Sequence, residues 1–187
     1  DVVASTLVTD VSEPCRIEDT SWIKPGSVSW IYWAYNHGSN DYQIIRQYVD
    51  MAVDMHWPYV LIDAEWDEMK NGGSIEDAIR YALDRGIKPL LWYNSSTAWL
   101  KAWGAPGPHE RLNAPELRER EFAWLERMGV AGVKIDFFGG DKQETMEYCI
   151  DLLECAARHH LLVNFHGATI PRGWQRTYPN LMSVGAV

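Results

Sequence analysis

From about residue 28 onward, apolar runs of strand length alternate with segments whose apolar residues recur at helical spacing. The strand-like runs are "SVSWIYW" (27–33), "YVLID" (59–63), "KPLLWYN" (88–94), "AGVKIDFF" (131–138), "LLVNFHG" (161–167) and "LMSVGAV" (181–187). Between them, Tyr42, Ile45, Val49, Ala52 and Val53 predict one face of a helix that starts near Asn40. Ser74 and Asp77 predict an N-cap and its partner ahead of Ile75, Ala78, Ile79 and Ala82, and Gly86 ends that helix. After a loop with Pro106, Gly107 and Pro108, Asn113 and Glu116 predict a capping box before Leu117, Phe122, Leu125 and Met128. Asp141 and Glu144 predict the start of a helix carrying Met146, Cys149, Ile150, Leu153 and Ala157.

Near-continuous apolar strands separated by helices imply a parallel sheet covered by helices, an α/β fold. An open doubly wound sheet and a (β/α)8 TIM-type barrel both fit that alternation. The first strand-helix turn, "AYNHGSN", lacks the phosphate-binding glycine fingerprint of a dinucleotide-binding sheet. Polar residues instead stand at successive strand ends: Asp63, Asn94, Asp136 and His166. A barrel carries its chemistry at the C-terminal ends of several strands, so the barrel is preferred. A complete barrel takes about 250 residues and eight strands. The 187 residues here supply about six strand-helix units, giving a leading segment, 1–26, and a partial barrel, 27–187. The expectation is that the chain is a piece of a larger protein, cut in mid-strand at Val187.

Composition narrows the function classes. A formal net charge of -9 argues against nucleic-acid binding. No run reaches the roughly 18 apolar residues of a membrane span. Cys15, Cys149 and Cys155 have neither metal-ligand spacing nor the even number of a disulfide framework. Cys149 and Cys155 are read as small buried apolar residues, and His159 and His160 as caps on the carbonyls of a helix end. Among the ten tryptophans, Trp66 and Trp92 suit either sugar stacking or core packing.

The sharpest chemical signal is "GVKIDFFGG" (132–140), where Lys134 and Asp136 interrupt an apolar strand and project to one face of it. An unpaired charge on either face of a barrel strand is costly, so each needs a partner. A Lys134–Asp136 ion pair plugging the barrel is one reading. The functional reading is a carboxylate at the barrel mouth, beside a cation and aimed at substrate. Asp63 is a second such candidate, whereas Glu65, Asp67 and Glu68 behind it read as a solvated loop. Asn94 and His166 are hydrogen-bonding residues at corresponding strand ends. A metal-dependent hydrolase using Asp63, His166 and Asp136 is a third, weaker reading.

The segments "EPCRIEDTSWIKPGSVSWIYW" (13–33), "YVLIDAEW" (59–66), "GVKIDFF" (132–138), "NFHGATIPRGWQRTYPN" (164–180) and "LMSVGAV" resemble the catalytic barrel of glycoside hydrolase family 97. That family comprises bacterial α-glucosidases and α-galactosidases. An aspartate where Asp136 stands marks its retaining, α-galactosidase-like branch, and the inverting α-glucosidase branch lacks it. The resemblance implies cleavage of terminal α-galactosides in oligosaccharides or glycosides. Asp136 would be the nucleophile, with Lys134 and Asp63 on sugar hydroxyls and Asn94 and His166 assisting. It also implies calcium, with most ligands outside this chain, and a periplasmic location. Two departures stand out. Gly185 occupies a position where the family has a glutamate, and the family's acid/base glutamate falls a few residues past Val187. A catalytically silent barrel fragment is therefore the competing expectation, with open sheet edges that invite self-association.

Overall fold

The computed structural model describes residues 5–35, 38–97, 105–170 and 172–185. Six parallel strands pair in chain order: β1 (Val28–Trp30), β2 (Tyr59–Ile62), β3 (Lys88–Asn94), β4 (Gly132–Asp136), β5 (Leu162–His166) and β6 (Leu181–Gly185). They curl into part of a (β/α) barrel, with helices crossing over between neighbours. The helices are α1 (Leu7–Asp10), α2 (Tyr42–Asp54), α3 (Ile75–Asp84), α4 (Pro115–Met128), α5 (Gln143–Arg158) and α6 (Trp174–Thr177). Among the described residues, no helix is long and apolar enough to cross a membrane.

The period of two divides each strand between two environments. Val60, Ile62, Leu91, Tyr93, Val133, Ile135, Val163 and Phe165 are buried against the helix layer, where they meet Ile45, Val49, Ile79, Phe122, Leu125 and Leu153. The alternate residues line the concave face. There the register sets Trp92 opposite Lys134, Asn94 opposite Asp136, and Lys134 opposite Asn164. The lower part of this face borders a cavity of about 260 Å³ lined by Val28, Tyr59, Leu90 and Leu162. Gly132 lets β4 and β5 close up, because a Cβ there would stand 2.4 Å from the Leu162 carbonyl oxygen.

The helix starts separate good cap predictions from poor ones. Ser74 and Asp77 form the expected capping box, Ser74 Oγ accepting from Asp77 N and Asp77 Oδ2 from Ser74 N. Asp41 caps α2 by accepting from Gln43 N and Ile44 N. Asn113 and Glu116 do not form a box. Pro115, with its fixed φ, takes the first helical position, which puts Ala114 at the cap and Asn113 one residue too early. At α5 the cap is Lys142, not Asp141, and its side chain makes no cap bond. Val53 turns away from the core and is 39% exposed.

Strand ends differ from the sequence limits for a common reason. β1 stops at Trp30 because the chain turns, Ala34 N and Tyr35 N both donating to Ile31 O. β4 stops at Asp136 because Phe137 has φ 62°, left-handed backbone that an extended run cannot contain. Residues 186–187 of the last predicted strand lie outside the described residues. In the leading segment, α1 packs beside α6. Arg176 donates to Thr9 O and Thr177 Oγ1 to Glu13 O, which ties the segment to the β5–β6 connection.

Candidate active site

The C-terminal ends of β2, β4 and β5 bring Asp63, Lys134, Asp136 and His166 together on the concave side. Lys134 is the hub. Its Nζ lies 3.0 Å from Asp63 Oδ2, 3.9 Å from Asp136 Oδ2 and 4.4 Å from the centre of the Trp30 ring. The side chains of Lys134, Asp63 and Asp136 are only 7%, 4% and 7% exposed. Lys134 is therefore not simply the partner of its sequence neighbour. Its short contact goes to Asp63, 71 residues away in the chain, and the Asp136 contact is the longer one.

Both carboxylates are held by donors. Asp63 Oδ2 also accepts from Trp30 Nε1 at 2.7 Å, and Oδ1 from its neighbour Ala64 N at 2.8 Å. Ser39 Oγ accepts from Asp63 N, which fixes the backbone at that turn. Asp136 Oδ1 accepts from Phe137 N at 2.8 Å and lies 3.1 Å from His166 Nδ1, while Oδ2 accepts from Trp92 Nε1 at 3.2 Å. Fixed donors around a buried carboxylate hold both its position and its rotamer. The Phe137 bond exists because the chain turns left-handed there, and Glu65 and Ser96 take the same positive φ just beyond Asp63 and Asn94. Non-glycine residues in that region cluster at functional sites.

The remaining predicted residues fall into different places. His166 sits at the rim, its side chain 40% exposed, with one ring nitrogen on Asp136. Gly185 lies against this ring, for a Cβ there would come within 2.5 Å of His166 Cδ2. A glutamate at position 185 would need the histidine to move. Asn94 is buried, and its Oδ1 accepts from Ser96 N while Nδ2 donates to Pro106 O, so it shapes the loop after β3. Trp66 is core, with its Nε1 donating to Trp92 O. Trp92 is buried too, yet reaches the site through its indole nitrogen. Sequence reasoning left out Trp30 and gave Trp92 no link to Asp136. Their signal was strand register: Trp92 pairs with Lys134, and Trp30 pairs with Leu61, which shares a face with Asp63.

The reading of Asp63, His166 and Asp136 as ligands of a metal-dependent hydrolase does not fit this site. The Lys134 ammonium stands between Asp63 and Asp136, where a cation shared by those carboxylates would have to go. Calcium takes about six to eight oxygen ligands. Among the described residues, the one trio of His, Cys, Asp or Glu with its ligand atoms gathered within 4.8 Å is Glu119, Cys155 and His159, away from the mouth and with a single oxygen-donor side chain. The described residues offer calcium no cage.

The sequence and the fold both have counterparts. The family model of glycoside hydrolase 97 matches residues 26–187. A protein of Streptomyces bingchenggensis named probable retaining α-galactosidase is 36% identical over 198 residues, taking in 100% of this chain and 29% of its own length. The crystal structure of a β-arabinopyranosidase superposes with a TM-score of 0.87 at 39% identity, over 99% of this chain and 29% of that one. A family 97 enzyme of Pseudoalteromonas sp. strain K8, in complex with acarbose, superposes with a TM-score of 0.77 over 98% of this chain and 32% of that one. At 20% identity the last of these speaks for the fold alone. The chain spans under a third of the length of curated relatives it matches.

Proposed function

Because the chain belongs to glycoside hydrolase family 97, we propose that it carries the nucleophile of a retaining glycosidase and that Asp136 is that nucleophile, acting on terminal α-galactosides. The observation that carries this reading is the setting of Asp136: a buried carboxylate at a strand mouth, both oxygens fixed by donors from three separate strands or turns. A retaining mechanism needs one carboxylate to attack and a second, protonated carboxyl about 5–5.5 Å away. Asp136 attacks the anomeric carbon and forms a glycosyl ester, while the glycosidic oxygen leaves with the second carboxyl's proton. Water then attacks the same carbon, gives its proton back to that second group and releases Asp136.

Asp63 is unsuited to be the proton donor, because Lys134, Trp30 and Ala64 N all donate to it. The donor is assigned to a carboxyl outside the described residues. Lys134 and Asp63 are assigned to sugar hydroxyls. An ammonium has three protons, and one of those on Lys134 goes to Asp63. His166 orients Asp136, and Asn94 shapes the mouth through its loop bonds. The inverting α-glucosidase reading is weaker because it has no use for a carboxylate set in this way. The names of the relatives leave a β-arabinopyranoside as the neighbouring substrate choice.

Incubation with an activated 2-fluoro α-galactosyl fluoride is expected to add one glycosyl mass to the chain. The Asp136→Asn variant is expected to add none. Fluoride departs with little help from an acid, so the identity of the proton donor does not limit this test. A folded chain that gains no mass would overturn the assignment, and reaction only with the arabinosyl analogue would change the sugar.

A second reading has its own observation. β1 and β6 are the outer strands of an open six-stranded sheet, each paired on one side within the described residues. Such edges recruit other edges, so the isolated chain is proposed to associate with itself and to be catalytically silent. Size-exclusion chromatography is expected to show dimers or larger species that dissociate in Met182→Lys, which places a charge on exposed β6. A clean monomer at every concentration would remove this reading.

A further inference from the structure

The opposite end of the sheet holds a cluster that the glycosidase reading does not use. α5 ends where β5 begins, so Cys155 and His159 lie at the end away from the strand mouths. They are four residues apart, one helical turn, and project from one face. Glu119 of α4 faces both. Its Oε2 is 3.3 Å from Cys155 Sγ and its Oε1 is 2.7 Å from His159 Nε2, and all three ligand atoms lie within 4.8 Å of one another. The other ring nitrogen, Nδ1, lies 2.8 Å from Glu126 Oε2. His160 Nδ1 lies 3.1 Å from Glu126 Oε1 as well, so both histidines meet carboxylates through their side chains, contrary to their expected role as carbonyl caps.

We propose that Glu119, Cys155 and His159 bind a soft or borderline divalent cation such as zinc, clamping α4 to α5. A tetrahedral zinc with bonds of about 2.0 Å to nitrogen and oxygen and about 2.3 Å to sulfur separates its ligands by roughly 3.3–3.6 Å. The two Glu119 contacts use different oxygens, 2.7 Å from the imidazole and 3.3 Å from the thiol, so the carboxylate must turn to present one oxygen while the three ligand atoms, all within 4.8 Å, draw together around the ion. A thiolate, an imidazole and one carboxylate leave the fourth position for water, and that donor set selects zinc over calcium or magnesium. Glu126 supplies the carboxylate that metal-bound histidines characteristically carry on their second nitrogen. On binding, the thiol and the imidazole Nε2 release to solvent the protons now shared with Glu119. The competing group is Arg158, whose NH2 is 3.0 Å from Glu119 Oε2; its side chain is 59% exposed and free to swing into solvent. The site lies at the end of the sheet away from the strand mouths, so the bound cation joins two helices there rather than serving the mouth.

Cobalt(II) added to the reduced chain is expected to give a thiolate-to-metal charge-transfer absorption that saturates at one equivalent and vanishes when zinc is added. Cys155→Ala and His159→Ala should each lose it, while Cys149→Ala and Cys15→Ala keep it. Arg158→Ala should bind cobalt several-fold more tightly, because a cation leaves the site. Circular dichroism of His159→Ala, a change at a helix end, separates loss of binding from loss of fold. No absorption with excess cobalt, or an absorption that survives Cys155→Ala, would overturn the site and leave the cluster as an ion-pair network between two helices.

Discussion

Replacing Lys134 with methionine is expected to destabilise the chain by about 3–5 kcal/mol, the range found when one partner of a buried ion pair is removed. The ammonium is the one cation in contact with both Asp63 and Asp136 among the described residues, and the three side chains are at most 7% exposed. Methionine keeps most of the lysine's volume but leaves two buried carboxylates facing one another across its thioether. Their remaining donors are Trp30, Trp92, two backbone N–H groups and the His166 ring nitrogen on Asp136, and none of these touches both carboxylates as the ammonium does. Urea unfolding of the single variants Lys134→Met and Asp63→Asn, and of the pair together, measures the interaction directly. The double variant is expected to be more stable than Lys134→Met alone, because removing the second charge relieves the first loss. A cost for Lys134→Met under about 1 kcal/mol, as for an exposed pair, would show that water reaches the site and that Lys134 is no hub.

The sequence carried the fold well because a parallel barrel writes itself in two periods. Strands of four to seven residues with both faces buried, such as "YVLI" and "KPLLWYN", read as apolar runs, and the helices between them at helical spacing. The strand-end polar residues were equally legible, since Asp63, Asn94, Asp136 and His166 each break such a run at the same point in its unit. What could not be read was pairing across the sheet. Local alternation joins Lys134 to Asp136, two residues away, but the shorter contact is to Asp63 on another strand. That depends on the curl of the sheet and on Trp30 beneath the ammonium. Helix caps failed where a neighbour with a stronger conformational demand intervened: Pro115 fixed the first turn of α4 and displaced Asn113. The cluster of Glu119, Cys155 and His159 escaped for a similar reason. Its ligands sit 36 and 40 residues apart on separate helices, so no sequence spacing signals it.

Trp66→Ala is expected to cost about 3–5 kcal/mol, the usual loss for deleting a buried tryptophan, although the residue sits in a loop. Trp66 is 2% exposed, in a one-turn 3-10 helix just after β2. Its ring packs edge-on to Tyr93 and stacks with Trp124 at 6.2 Å, and the Arg111 guanidinium lies 5.1 Å from its centre. Its Nε1 donates to Trp92 O at 2.7 Å. The indole thus fastens the β2 loop to β3, the strand whose Trp92 side chain holds Asp136 Oδ2. Trp66→Phe keeps most of the ring and drops the donor, and is expected to cost about 1–3 kcal/mol, the hydrogen bond plus a small void. The two variants separate packing from bonding. If Trp66 were instead a sugar platform, alanine would leave chemical stability nearly unchanged and weaken saccharide binding. Denaturant unfolding in the absence of sugar decides between these, and a shift under about 1 kcal/mol would move Trp66 from the core to the site.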